Sequence, residues 1–279
     1  MALYVRARYG ALRLTGDFET TLGDLHVGEE VVLRSDRGTE VGQVLNAAIE
    51  APAEAVPSGA VIRRFTPEDR SEAHRIDQEQ LDRERRFCRD KIREQNLPMK
   101  LVDVEHLLGG EKIIFYFLAE GRVDFRELVK DLAREYRTRI ELKQIGVRDE
   151  ARLLADLDHC GLEICCRSFI KKLEPVTMKM AKAQKATLDP AKISGRCGRL
   201  MCCLRYEDSV YDELKRNLPR KGQRVVCDDG TAEVIAYDIL SQTLMVEYTD
   251  RRRMKIPMAQ VKKVLPRESR DEKRGNDQR

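Results

Sequence analysis

Lys112-Ile113-Ile114-Phe115-Tyr116-Phe117-Leu118 reads as a strand buried on both faces, because apolar side chains stand at odd and even positions alike. Such a strand needs cover on each side, and the flanking sequence offers it. Leu101-Val102-Asp103-Val104-Glu105 is a preceding strand, joined through the turn at Gly109-Gly110. After the run, Asp124 stands before a helix with Glu127 three residues on, which predicts a capping-box variant. Phe125, Leu128, Val129, Leu132 and Tyr136 give that helix an inward stripe. Arg139-Ile140-Glu141-Leu142-Lys143 alternates as a further strand. The order β-β-α-β over residues 99–146 predicts an α+β sandwich.

Residues 66–97 form a long charged helix in this reading. Thr66 is its N-cap, Pro67 its first residue, and Pro98 its stop. Ile76, Leu81, Phe87, Cys88 and Ile92 offer one narrow apolar face, and Glu79/Arg83 and Asp82/Arg86 have the spacing of i,i+4 ion pairs. Residues 1–64 read as a small N-terminal β unit of short strands between glycine turns. Residues 147–216 are a cysteine-rich basic segment broken by Pro175, Pro190 and Gly195, with Met178, Met180 and Met201 expected in the core of helical pieces. Residues 219–265 have the strand spacing of a small five-stranded β barrel. Residues 266–279 mix charges almost without apolar residues and are expected to be disordered.

Charged residues make up 36% of the 279 and aromatics 5%, with no Trp, so the core must be built from Leu, Val and Ile under a heavily charged surface. The N-terminus lacks the apolar run of a signal peptide, and no stretch approaches the ~18 apolar residues of a membrane span. A cytoplasmic protein with reduced thiols is the expectation.

The thiols are clustered. Cys160-Gly161-Leu162-Glu163-Ile164-Cys165-Cys166 and Cys197-Gly198-Arg199-Leu200-Met201-Cys202-Cys203 both read C-G-x-x-x-C-C and hold six of the eight cysteines. Neither copy has the C-x-x-C knuckle usual in structural zinc sites and thiol oxidoreductases. An iron–sulfur cluster accepts more varied spacing, with Cys160, Cys165, Cys166 and Cys197 as a workable set and Cys202 and Cys203 as further donors. Zinc, inert buried thiols and a redox enzyme stand as alternatives. His159, beside Cys160, is expected on the surface, and Cys88 and Cys227 in the core. No Ser/His/Asp set, phosphate-cradling glycine loop or H-E-x-x-H motif points to a catalytic class.

Positive charge sits with the cysteines. Ten Lys and Arg stand between positions 167 and 205 against Glu174 and Asp189 alone. Lys171, Lys172, Lys179, Lys182, Lys185, Lys192, Arg196, Arg199 and Arg205 are the candidate contacts to RNA phosphates or an acidic partner. The few aromatics nearby argue against base stacking.

Four stretches carry a resemblance: Phe115 to Val129 (FYFLAEGRVDFRELV), Arg139 to Glu150 (RIELKQIGVRDE), Glu174 to Lys182 (EPVTMKMAK) and Ile193 to Glu207 (ISGRCGRLMCCLRYE). Together they resemble the bacterial RicT (YaaT) proteins, which share the C-terminal domain of the yeast polymerase-suppressor protein Psp. The likeness covers about residues 1–265. It implies a non-catalytic regulatory adaptor that joins RicA-like and RicF-like small helical partners in a complex carrying 4Fe–4S clusters. It also implies a part in endoribonuclease Y-dependent mRNA maturation, with effects on sporulation, competence and biofilm formation. Its cluster ligands fall here on Cys160, Cys165, Cys166 and Cys197. The first copy departs from the family pattern, which leads in with a glycine-rich stretch and follows Cys-Gly with Arg. Here the lead is Leu154 to His159, and Leu162 follows Gly161.

Overall fold

The computed structural model describes residues 3–50, 56–154, 157–184 and 188–266. It is an α+β chain that divides into two compact units. Residues 1–169 with 196–198 make the first, and residues 170–195 with 199–279 the second. The division falls inside the segment expected as one cysteine-rich unit.

The first unit begins with β1 (Leu3–Tyr9), β2 (Leu14–Thr20), β3 (Glu30–Ser35), β4 (Thr39–Val44), β5 (Ile49–Glu50) and β6 (Gly59–Arg64). Their pairing runs around a ring, β1-β2-β6-β3-β4 and back to β1, with β5 added beside β4 on the same edge of β1. Closure leaves few unpaired strand edges. The closing pair, β2 with β6, is parallel and begins at Phe18 and Gly59. Gly59 has φ +152, and a Cβ there would strike the Arg34 carbonyl, so only glycine fits the join. Val5, Ala7, Phe18, Val31, Leu33 and Val44 fill the ring.

Thr66 then caps α1 (Pro67–Arg75). The Asp69 carboxylate accepts from the Thr66 N–H at 2.9 Å, and the Asp69 N–H points back to the Thr66 hydroxyl, which completes a capping box. The helix is not uniform. A π-helical stretch, Ile76–Gln80, joins α1 to α2 (Leu81–Glu94). The expected i,i+4 pairs do not form here. Arg83 reaches Glu135, and Asp82 pairs with Arg85, whose guanidinium also meets Asp103 at 2.8 Å. Partners on neighbouring elements draw these arginines away from the helix surface.

β7 (Lys100–His106), β8 (Lys112–Leu118), α3 (Arg126–Tyr136) and β9 (Arg139–Gln144) form the β-β-α-β unit. β8 lies in the middle, antiparallel to β7 and parallel to β9. Ile113, Phe115 and Phe117 face Cys88 and Ile92 of α2 and Leu128 and Leu132 of α3. Ile114 and Tyr116 face the other way, onto Leu12 in the β1–β2 turn and Ile145 after β9. Two layers therefore cover β8, as its unbroken apolar run requires. Burying one such side chain contributes roughly 1.5–3 kcal/mol. Asp124 does not cap α3. Phe125 holds the N-cap position, Asp124 accepts from the Arg126 N–H and guanidinium, and Glu127 turns to Lys130. Arg126 at the following position offers a nearer charged donor than the capping box needs.

α4 (Val147–Leu154) and α5 (Cys165–Ser168) complete the first unit. The second holds α6 (Met178–Ala183), α7 (Pro190–Ile193) and α8 (Cys202–Arg216). These lead to a barrel-like antiparallel sheet of β10 (Arg224–Cys227), β11 (Gly230–Asp238), β12 (Thr243–Tyr248), β13 (Arg253–Pro257) and β14 (Lys263–Val264), in the order β13-β12-β11-β10-β14. Tyr211 and Leu214 of α8 pack on its core of Val225, Val234, Leu244 and Val246. Met201 packs on a smaller cluster of Ala181, Ile193 and Leu204. Met178, expected in a core, is exposed at the start of α6. The tail expected to be disordered lies, from residue 267 on, outside the described residues.

Candidate functional site: two copies of one cysteine turn

The two cysteine motifs fold as copies of one local structure. In the first, Leu157 and Glu163 form an isolated antiparallel bridge, and the Asp158 N–H donates to the Leu162 carbonyl at 3.0 Å. In the second, 37 residues on, Ser194 and Leu200 form the bridge, and the Gly195 N–H donates to the Arg199 carbonyl at 2.9 Å. Gly161 has φ +77 and Gly198 φ +72, the left-handed conformation that closes a short hairpin loop. Ile164 (φ −56, ψ 129) and Met201 (φ −57, ψ 127) then turn the chain into helices that open on the paired cysteines. The Arg167 N–H donates to Ile164 and the Leu204 N–H to Met201 at matching positions. The shared pattern C-G-x-x-x-C-C is thus glycine for the turn, an apolar residue at the helix entry, and two thiols in the first helical turn.

The copies differ in what holds them. Glu163 of the first accepts from Arg13 Nη1 at 2.8 Å and lies 3.5 Å from Arg167 Nε. Leu200 of the second packs beside Ala181, Ile193 and Leu204. Arg196 Nε donates to the Leu157 carbonyl at 3.1 Å, which ties the turn residues Arg196, Cys197 and Gly198 to the first motif's bridge. Cys197 lines a groove of about 780 Å³ with Val147, Ala151, Leu154 and Leu157.

The thiols sit in unlike surroundings. Cys160 is exposed, and His159 beside it is exposed as well. Cys165, Cys197, Cys202 and Cys203 are half-buried and Cys166 is buried. Burial, together with Glu207 and Cys202, pushes the Cys203 thiol up, which disfavours its thiolate. Cys88 and Cys227 are core residues, and burial raises Cys88 to about 12. Cys160, Cys165, Cys166 and Cys197 all belong to the first unit. Among the described residues, however, no three Cys, His, Asp or Glu side chains are grouped closely enough to hold a metal ion. The donor types suit a soft centre, but this arrangement of them is not an assembled one.

Of the basic residues, Lys171, Lys172, Lys179, Lys182, Lys192, Arg196 and Arg199 are exposed. Arg205 is instead engaged by Glu174, Nε to Oε2 at 2.8 Å, so its charge is answered within the chain. Lys172, Glu174, Arg205, Cys202 and Tyr206 share a cavity of about 300 Å³. Lys185 lies outside the described residues. Sequence reasoning missed the bridge residues Leu157, Glu163, Ser194 and Leu200. Their equal offsets from Cys160 and Cys197 were the available signal.

Over 226 residues the chain is 46% identical to the stage 0 sporulation protein YaaT of Bacillus subtilis, a match that spans 80% of this chain and 82% of that protein. The chain belongs to the YaaT/PSP1 family. Residues 59–145 match the PSP1 C-terminal conserved region, and residues 175–218 match the third domain of PSP1-like proteins. The first stretch runs from the ring-closing strand β6 to the end of the β-β-α-β unit, and the second carries the second cysteine motif. An uncharacterized protein of Schizosaccharomyces pombe is 29% identical over 144 residues, 42% of this chain and 19% of that protein. No solved structure matches. Among the described residues of this YaaT-family chain, no helix is long and apolar enough to cross a membrane.

Proposed function

We propose that this protein is a non-catalytic regulatory adaptor whose paired cysteine turns receive an iron–sulfur cluster through Cys160, Cys165, Cys166 and Cys197. The observation that carries the reading is the duplication. Two turns built alike present three thiols each, and a structural role for the fold alone needs no such repetition. Because the thiols are not grouped as a metal site, cluster capture requires the turns to shift. A cluster bound in this way contributes its affinity to the stability of the region. The likeness to a sporulation protein supports a regulatory role in development. The RicT-like resemblance supports partners of the RicA and RicF kind and a part in endoribonuclease Y-dependent mRNA processing. The exposed lysines from Lys171 to Lys192 then serve an acidic partner or RNA phosphates.

Anaerobic purification with iron, sulfide and zinc analysis tests the reading. The expected protein is brown, with iron and sulfide that are lost in Cys197→Ser. Stoichiometric zinc without colour would replace it with a zinc-bearing nucleic-acid-binding protein. A colourless, metal-free protein that still binds its partners would make the thiols structural.

A further inference from the structure

β9 leaves one edge of the β-β-α-β sheet open. The sheet order is β7-β8-β9, and among the described residues no strand other than β8 pairs with β9. The Ile145 N–H donates to the Phe117 carbonyl at 2.9 Å. In a parallel ladder that bond fixes the alternation, so the backbone groups of Arg139, Glu141 and Lys143 point to β8. Those of Ile140, Leu142 and Gln144 point away from it and have no hydrogen-bond partner among the described residues. Such a row of unpaired groups is a template for one more strand.

The side chains restrict which strand that is. Ile140 and Leu142 turn to the layer of α2 and α3, and Glu141 and Lys143 stand on the opposite face. Glu141 Oε2 accepts from Lys112 Nζ at 2.8 Å, yet the Glu141 side chain is 39% exposed. Lys143 Nζ lies 6.0 Å from the centre of the Tyr116 ring and makes no ion pair among the described residues.

We propose that β9 is a self-association edge, through which two copies of this chain join their sheets into one. Laid antiparallel about a two-fold axis at Leu142, two copies of β9 set Glu141 opposite Lys143 of the other copy, and Lys143 opposite Glu141. Ile140 then faces Gln144, and Leu142 faces its own counterpart. The outward-pointing residues Ile140, Leu142 and Gln144 form the hydrogen-bonded pairs. Glu141 and Lys143 fall in the non-hydrogen-bonded pairs, where side chains approach most closely. The next allowed register on one side sets Glu141 against Glu141, and on the other Lys143 against Lys143, which like charges oppose. The edge is thus complementary to itself in this register, and that complementarity favours a second copy over an unrelated extended peptide.

Sedimentation equilibrium of the full chain under reducing conditions, over a concentration series at low salt, tests the proposal. A reversible dimer is expected, weakened by salt because its ion pairs are near the surface. Glu141→Lys and Lys143→Glu should each weaken it at least tenfold, and an equimolar mixture of the two variants should associate as the native chain does. Gln144→Pro removes an outward N–H without touching the ladder to β8, a change that an edge strand accepts. It should abolish the dimer, whereas Gln144→Ala should keep it. The proline variant decides the matter if Glu141→Lys, which strips Lys112 of its partner, does not fold. A native chain that stays monomeric throughout, a folded Gln144→Pro that dimerises like the native chain, or a mixture of folded charge variants no more associated than either alone would overturn the proposal.

Discussion

Arg13 Nη1 and Glu163 Oε1 meet at 2.8 Å across 150 residues of chain. Arg13 stands in the β1–β2 turn with φ +49, and Glu163 is the bridge residue of the first cysteine motif. The pair anchors that motif to the N-terminal ring. The second motif has Leu200 at the matching position and is anchored by apolar packing instead.

Cutting this anchor should loosen the motif more than it destabilises the protein. Both side chains are about a third exposed, so Glu163→Gln should cost only ~0.2–1 kcal/mol in denaturant unfolding. Hydrogen exchange at the amides of residues 160–166 should speed up severalfold. The reversed pair Arg13→Glu with Glu163→Arg should restore much of the protection. Unchanged exchange in Glu163→Gln would mean that the contact does not hold the motif.

Gly161 and Gly198 test the turn geometry. Nothing lies within 4 Å of a Cβ built at either, so the cost of a side chain is conformational alone. Each Gly→Ala change should lower stability by about 1–2 kcal/mol. Gly→Asn should cost less, because asparagine tolerates the left-handed conformation. Equal losses for Ala and Asn in calorimetry would show that φ is not what selects glycine.

Arg196 tests the link between the motifs. It is no ligand in the proposed set, yet its guanidinium holds the Leu157 carbonyl and so places Cys197. Arg196→Ala should leave the far-ultraviolet spectrum unchanged while the iron content of anaerobically purified protein falls at least twofold. Full iron loading in that variant would remove Arg196 from the positioning of the site.

Cys88 sets an alkaline limit. Its thiol, raised to about 12 by burial, stays protonated in the folded chain while the unfolded chain releases the proton near the ordinary thiol pKa of ~8.5. The contribution is whole below that lower pKa and is lost as pH rises from there toward 12. Denaturant midpoints should therefore fall over this range, and less so in Cys88→Ala once its own cavity cost is set aside. Iodoacetamide at neutral pH should label Cys160 quickly and Cys88 only on unfolding.

Much of the fold is legible in one dimension because short-range physics governs it. The run from Lys112 to Leu118 demands cover on two faces, and α2, α3 and the β1–β2 turn supply it. Thr66-Pro67 starts its helix by local capping, and the spacing of residues 219–265 yields five strands. Local grammar misleads where a distant partner competes. Asp124 turns to Arg126 rather than capping α3, and Arg83 leaves its own helix for Glu135. The π-helical stretch has no signature in the residue pattern.

The duplicated cysteine turn was determined by sequence alone, since a glycine that must adopt positive φ and a fixed offset specify a local hairpin wherever it occurs. What each copy is fastened to was decided only by the tertiary structure. Arg13 and Glu163, and Arg196 and Leu157, come together from far apart in the chain. Their energies depend on burial and on distances of about 3 Å that no local pattern encodes.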